Sequence, residues 1–332
     1  MSHILGIDVS KKKLDCVLLR ASEPEKMLHK KVSNDPEGFQ ALLQWCTRKA
    51  ACEPKDLHAV MEATGPYYEA VAQALFEQGV VVSVVNPAQI SHFAKGLGIK
   101  AKNDKQDASV IARFGLMMNP RAWQPEPAEY RELHALLYRL NAVEMDLQRE
   151  NNRLEKLQAS LASSTVIDSL DRSIAFLKEE KARLEKQVQD HINRYPRLRE
   201  DKQLLESIPA VGPKLSAWMS LLLRNGEHFD GAAQAAAFVG LTPTEHQSGS
   251  SIHKKPHLSK HGSSVYRAKL FMPAIVATKY NPDVKAFYQR LLGRGKPKMA
   301  AVCAAMRKLL HICFGVIKNK TPYQPQLTLT GC

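Results

Sequence analysis

The sequence holds little that would organise it around a disulfide, a metal–thiolate site or a membrane. Its six cysteines (Cys16, Cys46, Cys52, Cys303, Cys313, Cys332) contain no C-x-x-C pair, which argues against both a zinc ligand set and a disulfide framework. The opening MSHILGIDVS has no charged stretch leading into an apolar run, so no secretory leader is expected. No apolar stretch reaches the roughly 18 residues that a bilayer span requires. A reduced, cytoplasmic protein without a membrane partner is expected. Acid is scarce in one region: from His246 onward a single carboxylate, Asp283, faces fifteen Lys or Arg. That quarter carries the entire formal charge of +14, and the remainder is close to neutral. A basic region of this kind favours a polyanionic partner, of which nucleic acid is the commonest.

What is present suggests more than one domain, because 332 residues exceed the usual size of a single core. Strand and helix signals alternate over the first 118 or so residues. Ile4 to Val9 is a short apolar run, and Leu14 to Leu19 returns as its hairpin partner. Pro36 to Thr47, Tyr67 to Glu77 and Asp104 to Met118 read as helices; Leu57 to Met61 and Val80 to Val85 read as strands, the last closed by Asn86-Pro87. This is an α/β layered domain with a mixed sheet. PRAWQPEP (Pro120 to Pro127) reads as a linker. Beyond it Leu133, Leu136, Leu140, Val143, Leu147, Leu154, Leu157 and Leu161 fall on one helical stripe. After a break at Ser160 to Thr165 a second stripe runs from Leu170 to Ile192. An antiparallel helical hairpin is expected, as a structural spacer or as an arm that packs on another protomer. From Leu204 the chain is helical and basic, interrupted at Gln247 to Ser264.

Four acids stand out by placement. Asp8 ends the first strand and Glu62 a later one, while Asp104 and Asp107 lie at i and i+3 on one helix face. A strand-end acid taken alone is usually a solvated turn residue. Two strand-end acids and a helical pair can instead converge at one sheet edge, where they would repel one another unless cations offset them. Two divalent ions would balance four carboxylates, the arrangement used for in-line phosphoryl transfer. A strand opening on G-I-D also begins sugar-kinase-like and actin-like ATPases, but Thr64-Gly65 is the only nearby glycine turn and is weak support for nucleotide binding.

Further on, IPAVGPK has the form of a helix-hairpin-helix turn, with Gly212 and Lys214 at the start of a helix that could meet phosphate. An ordinary helix corner is the plainer explanation. Ser248, Ser250 and Ser251 precede Lys254, Lys255 and Lys260. Composition alone makes this a flexible, phosphate-contacting loop. A nucleophilic serine would need a base or metal to remove its proton, and nothing in the residue types separates one serine from another.

GIDVSKKKLD, MEATGPYYEAV, VSVVNPAQ and NDKQDASVIARF resemble the DEDD RuvC-like domain of the insertion-sequence "one-ten" transposases, a group that includes Piv-type DNA invertases. IPAVGPK, FVGLTPTEHQSGSS, SKHGSSVYRAKLFMPA and MRKLLHICFGV are similar to the C-terminal transposase domain of that family. The resemblance implies an RNase H-like (RuvC-like) domain over 1–120, a helical or coiled-coil arm over 128–200 and a mostly α, basic transposase domain with a helix-hairpin-helix over 201–325. It implies Asp8, Glu62, Asp104 and Asp107 as ligands of two Mg²⁺ ions, with Mn²⁺ as the alternative. It further implies Ser248 as a nucleophile that forms a covalent phosphoserine link to DNA. Donor and target DNA, a structured noncoding guide RNA and a homo-oligomer from dimer to tetramer are the implied partners. Gly212, Lys214, Lys254, Lys255, Lys260 and Arg267 are the expected nucleic-acid contacts. Asn103 departs from the family pattern, where Thr is expected, at a position that need not be a ligand.

Two other readings remain. A Holliday-junction nuclease would use the same acids with metal-activated water and leave Ser248 in a plain loop. A non-enzymatic nucleic-acid-binding protein would use its acids only as helix caps.

Overall fold

Along the first strand, β1 (His3–Val9), successive side chains enter different cores. Leu5, Ile7 and Val9 pack with Leu14, Leu18, Leu42 and Trp45, whereas Ile4 packs on the other face with Val17, Val60 and Ile111. Period-two alternation thus puts Gly6 and Asp8 on the Ile4 face. The computed structural model describes residues 3–99, 104–160, 163–224, 229–248, 252–259 and 262–325, with the backbone alone at 24, 104, 105, 245–248 and 252–257.

The expected hairpin is present: β2 (Lys13–Arg20) returns antiparallel to β1. β3 (Glu23–Ser33) extends it antiparallel, and β4 (Leu57–Glu62) and β5 (Val81–Val85) add parallel strands on the other side. The five strands lie in the order β3-β2-β1-β4-β5. Helices α1 (Pro36–Ala50) and α2 (Glu69–Glu77) cover one face. Helices α3 (Pro87–Gly96) and α4 (Asp104–Met118) cover the other. Asn86-Pro87 does more than end β5: the Asn86 side chain accepts from Ala88 N at 2.9 Å and Pro87 occupies the first helical turn, so the pair also starts α3.

α4 packs directly on the backbone of β1. A Cβ at Gly6 would fall within 2.5 Å of the Ala108 carbonyl oxygen, and one at Gly115 would meet Ile4 Cγ2 at 3.0 Å. These contacts fix the direction of the helix: its later turns lie over Ile4 and its earlier turns over Gly6 and beyond. The segment read as a linker lies instead along β5. Trp123 N donates to Val82 O at 2.6 Å, and the Trp123 ring meets Phe76 edge-on at 6.0 Å, which covers the open edge of the sheet.

The chain divides into two compact units, Met1–Glu126 and Pro127–Cys332. The second opens with two 31-residue helices, α5 (Ala128–Gln158) and α6 (Ser164–Arg194). His191 Nε2 lies 2.8 Å from Glu129 O, so the end of α6 meets the start of α5 and the two run antiparallel. Leu133, Leu137, Leu140, Val143, Leu184, Val188 and Ile192 are buried. Towards the other end Leu147, Leu154, Leu157, Leu170 and Leu177 are only half-buried, and Phe176 is 64% exposed; Leu161 lies outside the described residues.

The inner half of this pair shares a core with α7 (Pro196–Glu206), α8 (Pro213–Leu223), α9 (Ala232–Val239), α10 (Ser264–Tyr280), α11 (Pro282–Gly293) and α12 (Lys298–Asn319). α8 is buried on every side from Leu215 to Leu223. Gln247 to Ser264, expected to be loop, includes part of a two-stranded ribbon, β6 (Pro243–Ser248) paired antiparallel with β7 (Ile252–Leu258). Contrary to the reading by uninterrupted apolar runs, α12, whose apolar run is broken by Arg307 and Lys308, is long and apolar enough by length and composition to cross a membrane; here its Ala305, Leu309, Cys313 and Ile317 lie in the shared core.

Gly6→Ala is expected to displace α4 and destabilise the first unit by about 1–3 kcal/mol, the usual range for overpacking. Thermal unfolding of the variant checks this, and an unchanged midpoint would mean that α4 adapts freely.

Candidate active site and nucleic-acid face

The register of the first sheet brings the strand-end acids together. Ile7 pairs with Met61 in the parallel β1–β4 ladder, so Glu62 lies one step on, beside Asp8. Gly6 pairs with Val60, and Val60 belongs to the α4 side of the sheet. Asp8 and Glu62, each two residues further along, therefore share the face that α4 covers. The helix runs with its first turns towards that end, which brings Asp107 to the same edge. All three are half-buried. Asp104 begins the same helix, and its carboxylate lies outside the described side chains.

One acid escaped the sequence reading. Asp15 is the antiparallel partner of Asp8, and directly opposed Cβ atoms stand about 5 Å apart. Its carboxylate pairs with Lys13 at 3.5 Å and Lys31 at 3.3 Å. Pairing the hairpin around Ser10 to Lys12 would have revealed it, because the pairing of Ile4 with Leu19 carries through to Asp8 and Asp15.

The oxygen donors at this edge suit a hard divalent cation. Among the described residues, however, no three His, Cys, Asp or Glu side chains lie close enough together to hold a metal ion. What the fold supplies is a common edge for Asp8, Glu62 and Asp107, with Asp104 at the head of the covering helix.

In the second unit, Ser248 is the last residue of β6 and pairs with Ile252. Lys254 and Lys255 lie on β7, Lys254 opposite His246. For all three only the backbone is described, and Lys260 lies outside the described residues. Arg267 is built into the scaffold: its Nη1 donates to Val239 O at 2.8 Å and Gly262 O at 3.1 Å. Gly262 has φ +136, and a Cβ there would strike Phe238 O, so the approach to α10 requires glycine.

Gly212 caps the start of α8 and Lys214 lies in its first turn, as a phosphate-contacting turn requires. Lys214 is not idle. It forms an ion pair with Glu144 of α5, and the same carboxylate receives Lys269 of α10 at 3.1 Å. Lys269 Nζ also stands 5.3 Å from the centre of the Trp218 ring. Burial would raise the Glu144 pKa, but the hydrogen bonds and charges of the two lysines outweigh it and hold the carboxyl below its ordinary value. Sequence reading missed this acid because it sits 70 residues before the lysine it neutralises.

A mixed sheet with acids gathered at one edge, followed by a basic helical unit, is the plan of a DNA recombinase of the transposase type. The comparisons give the family. The DEDD transposase domain of IS110 matches residues 5–161, and the domain described as "Transposase IS116/IS110/IS902 family" matches residues 202–289. A pilin gene-inverting protein of Moraxella bovis is 33% identical over 325 residues, 97% of this chain and 98% of its own length. The pilin gene-inverting protein of Moraxella lacunata is equally similar. The transposase for insertion sequence element IS1111A of Coxiella burnetii is 23% identical over 273 residues, 74% of each chain. The chain belongs to the IS110 family of transposases. Its mixed five-stranded sheet is consistent with the RNase H-like fold of DEDD enzymes, and the DEDD domain carries an expectation of divalent-metal dependence.

Glu144→Gln is expected to free Lys214 and Lys269 for phosphate. Non-specific DNA affinity should rise roughly threefold to tenfold at low salt, with a salt dependence steeper by about one or two contacts. Filter binding across a salt series checks this, and an unchanged slope would mark the triad as purely structural.

Proposed function

We propose that the protein cuts and rejoins DNA through a covalent phosphoserine at Ser248, with Asp8, Glu62, Asp104 and Asp107 as the metal-binding set. The reading is carried by one observation, the β1–β4 register that sets Asp8 beside Glu62 on the face covered by the helix of Asp107. Divalent ions bound by these acids would supply charge stabilisation to the phosphoryl transition state.

The remaining steps belong to the chain itself. Ser248 Oγ gives up its proton and forms a bond to phosphorus, while one P–O ester bond breaks and its oxygen departs as a hydroxyl after taking a proton. A hydroxyl from another strand then attacks the same phosphorus and returns the serine. Each exchange makes one ester bond and breaks one, so strands rejoin without nucleotide hydrolysis. Lys254 and Lys255, on the strand paired with that of Ser248, would hold the flanking phosphates. Gly212 and Lys214 would meet backbone phosphate at the α8 start. Arg267 would act mainly by fixing the entry to α10, and Lys260 would extend the basic stretch.

A structured noncoding RNA is the proposed guide, recognised by the basic second unit together with donor and target DNA. The half-buried outer part of the α5–α6 pair is the proposed oligomer contact, within a dimer or tetramer in which acids and serine are contributed by different protomers. The segments 1–120, 128–200 and 201–325 would thus serve as metal domain, arm and transposase domain. Inversion of a DNA segment, the activity named for the Moraxella relatives, is one outcome this chemistry permits.

Denaturing electrophoresis of the protein with labelled DNA and Mg²⁺ tests the proposal. The wild type should yield a DNA-linked protein band. Ser248→Ala should abolish it while leaving DNA binding within about twofold, and Asp8→Asn should abolish it in the same way. Mixing the two variants should restore the band if different protomers supply the two parts. Free cleaved ends with an intact Ser248→Ala activity would replace this reading with hydrolysis by water.

A further inference from the structure

One groove of the second unit has no part in the chemistry above. It has a volume of about 540 Å³, within the range of ligand-sized sites of roughly 300–1,000 Å³. One wall is a single face of α12, on which Met299, Cys303 and Arg307 recur at helical spacing. Phe287 of α11 and the paired residues Pro243 and Leu258, at the base of the β6–β7 ribbon, complete the apolar lining. Met299 is 61% exposed.

Charge decides what such a groove accepts. Lys296, Arg307 and Lys308 line it, and no carboxylate is among its lining residues. The one acid of the C-terminal quarter, Asp283, receives the Tyr323 hydroxyl at 2.7 Å and lines the adjoining pocket, which shares Lys308 and His311 with this groove. His311, beside Arg307 at 3.5 Å, has its pKa lowered by burial and, to a lesser extent, by the Arg307 and Lys308 charges. A duplex could use those cations but keeps its base faces stacked, leaving the apolar wall idle. An unpaired strand offers phosphate and base face together, the combination that single-strand sites use.

We propose that this groove binds an unpaired nucleotide of the DNA strand undergoing exchange, its base against Phe287 and Met299 and its phosphate among Lys296, Arg307 and Lys308. The ribbon gives the link to the reaction. Pro243 and Ser248 are the two ends of β6, separated by about 17 Å at strand rise, or roughly five base steps of a stacked strand. The choice of DNA as occupant rests on the reading of Ser248 as nucleophile; the groove's preference for unpaired over paired strands does not.

The test uses the full chain with chelator, so that no chemistry occurs. The probes are one DNA duplex and the same sequence with a central unpaired patch carrying 2-aminopurine. Wild type should bind the patched probe more tightly, with a change in 2-aminopurine emission. Met299→Glu, at an exposed site, should weaken binding of the patched probe roughly tenfold and leave duplex affinity within about twofold. Met299→Leu should retain the preference. An equal loss for both probes, a preference that survives Met299→Glu, or tighter binding of the corresponding unpaired RNA would overturn the proposal. The serine reading is scored apart, by the covalent band: the Met299-dependent preference without that band leaves the groove standing, and the band without the preference removes the groove.

Discussion

The contact on which the first unit turns is the bare backbone of Gly6 against α4. Gly6 has no Cβ, so Ala108 and Ala112 can lie directly on β1. That approach sets the height of the helix above the sheet and thereby the height of Asp104 and Asp107 above Asp8 and Glu62. Asp8 is two residues past Gly6 and so shares its face by the pleat. A one-residue slip of β1 would turn Asp8 into the core of Leu42 and Trp45 and point Ile7 at the helix. Burial on both faces forbids that slip, and the same hydrophobic packing that folds the sheet therefore keeps the acids at one edge.

The acids at strand ends were legible because each closes an apolar run, and a run boundary survives in the linear sequence. Asp15 was not, because it is defined by its opposite number across a hairpin. β3 escaped for a different reason. EPEKMLHKKVS is mostly polar, and the strand sits at the sheet edge, where solvated side chains and lysines are the rule. Its Met27, Leu28 and Val32 mark it only once β2 is there to pair with. The ribbon of β6 and β7 hid behind loop-like composition, since PTEHQS and IHKKPHL carry no alternation of apolar and polar residues. The inner half of the α5–α6 pair was legible from its leucine stripe. Which end of that stripe lies in a core was not, because Leu140 and Leu154 look alike until a third helix covers one of them.

The formal charge of the chain overstates what a polyanion would meet. Lys320 reaches Asp201, which is wholly buried, at 2.6 Å, and Lys318 reaches the Asp230 carbonyl oxygen at 3.2 Å. Glu144 occupies Lys214 and Lys269, and the scaffold carbonyls occupy part of Arg267. These cations tie distant helices of the second unit to one another: α12 to α7, and α8 and α10 to α5. A lysine so placed stabilises the fold by pairing, and it can meet phosphate only by giving up its carboxylate. Net charge read from composition therefore points to a polyanionic partner without telling which cations are held by carboxylates of the chain. No carboxylate is among the residues lining the groove around Met299, whereas Glu144 holds both Lys214 and Lys269.

Acids and hydroxyl belong to different compact units, Met1–Glu126 and Pro127–Cys332, each with hydrophobic clusters of its own. On the proposed chemistry this division has a consequence. A serine permanently docked on a metal-loaded acid edge would be open to water as the second nucleophile, and hydrolysis would leave broken strands. On that chemistry the strand that attacks the phosphoserine must reach it before water does. In that scheme the ester energy is kept for rejoining, because each exchange makes one ester bond as it breaks another.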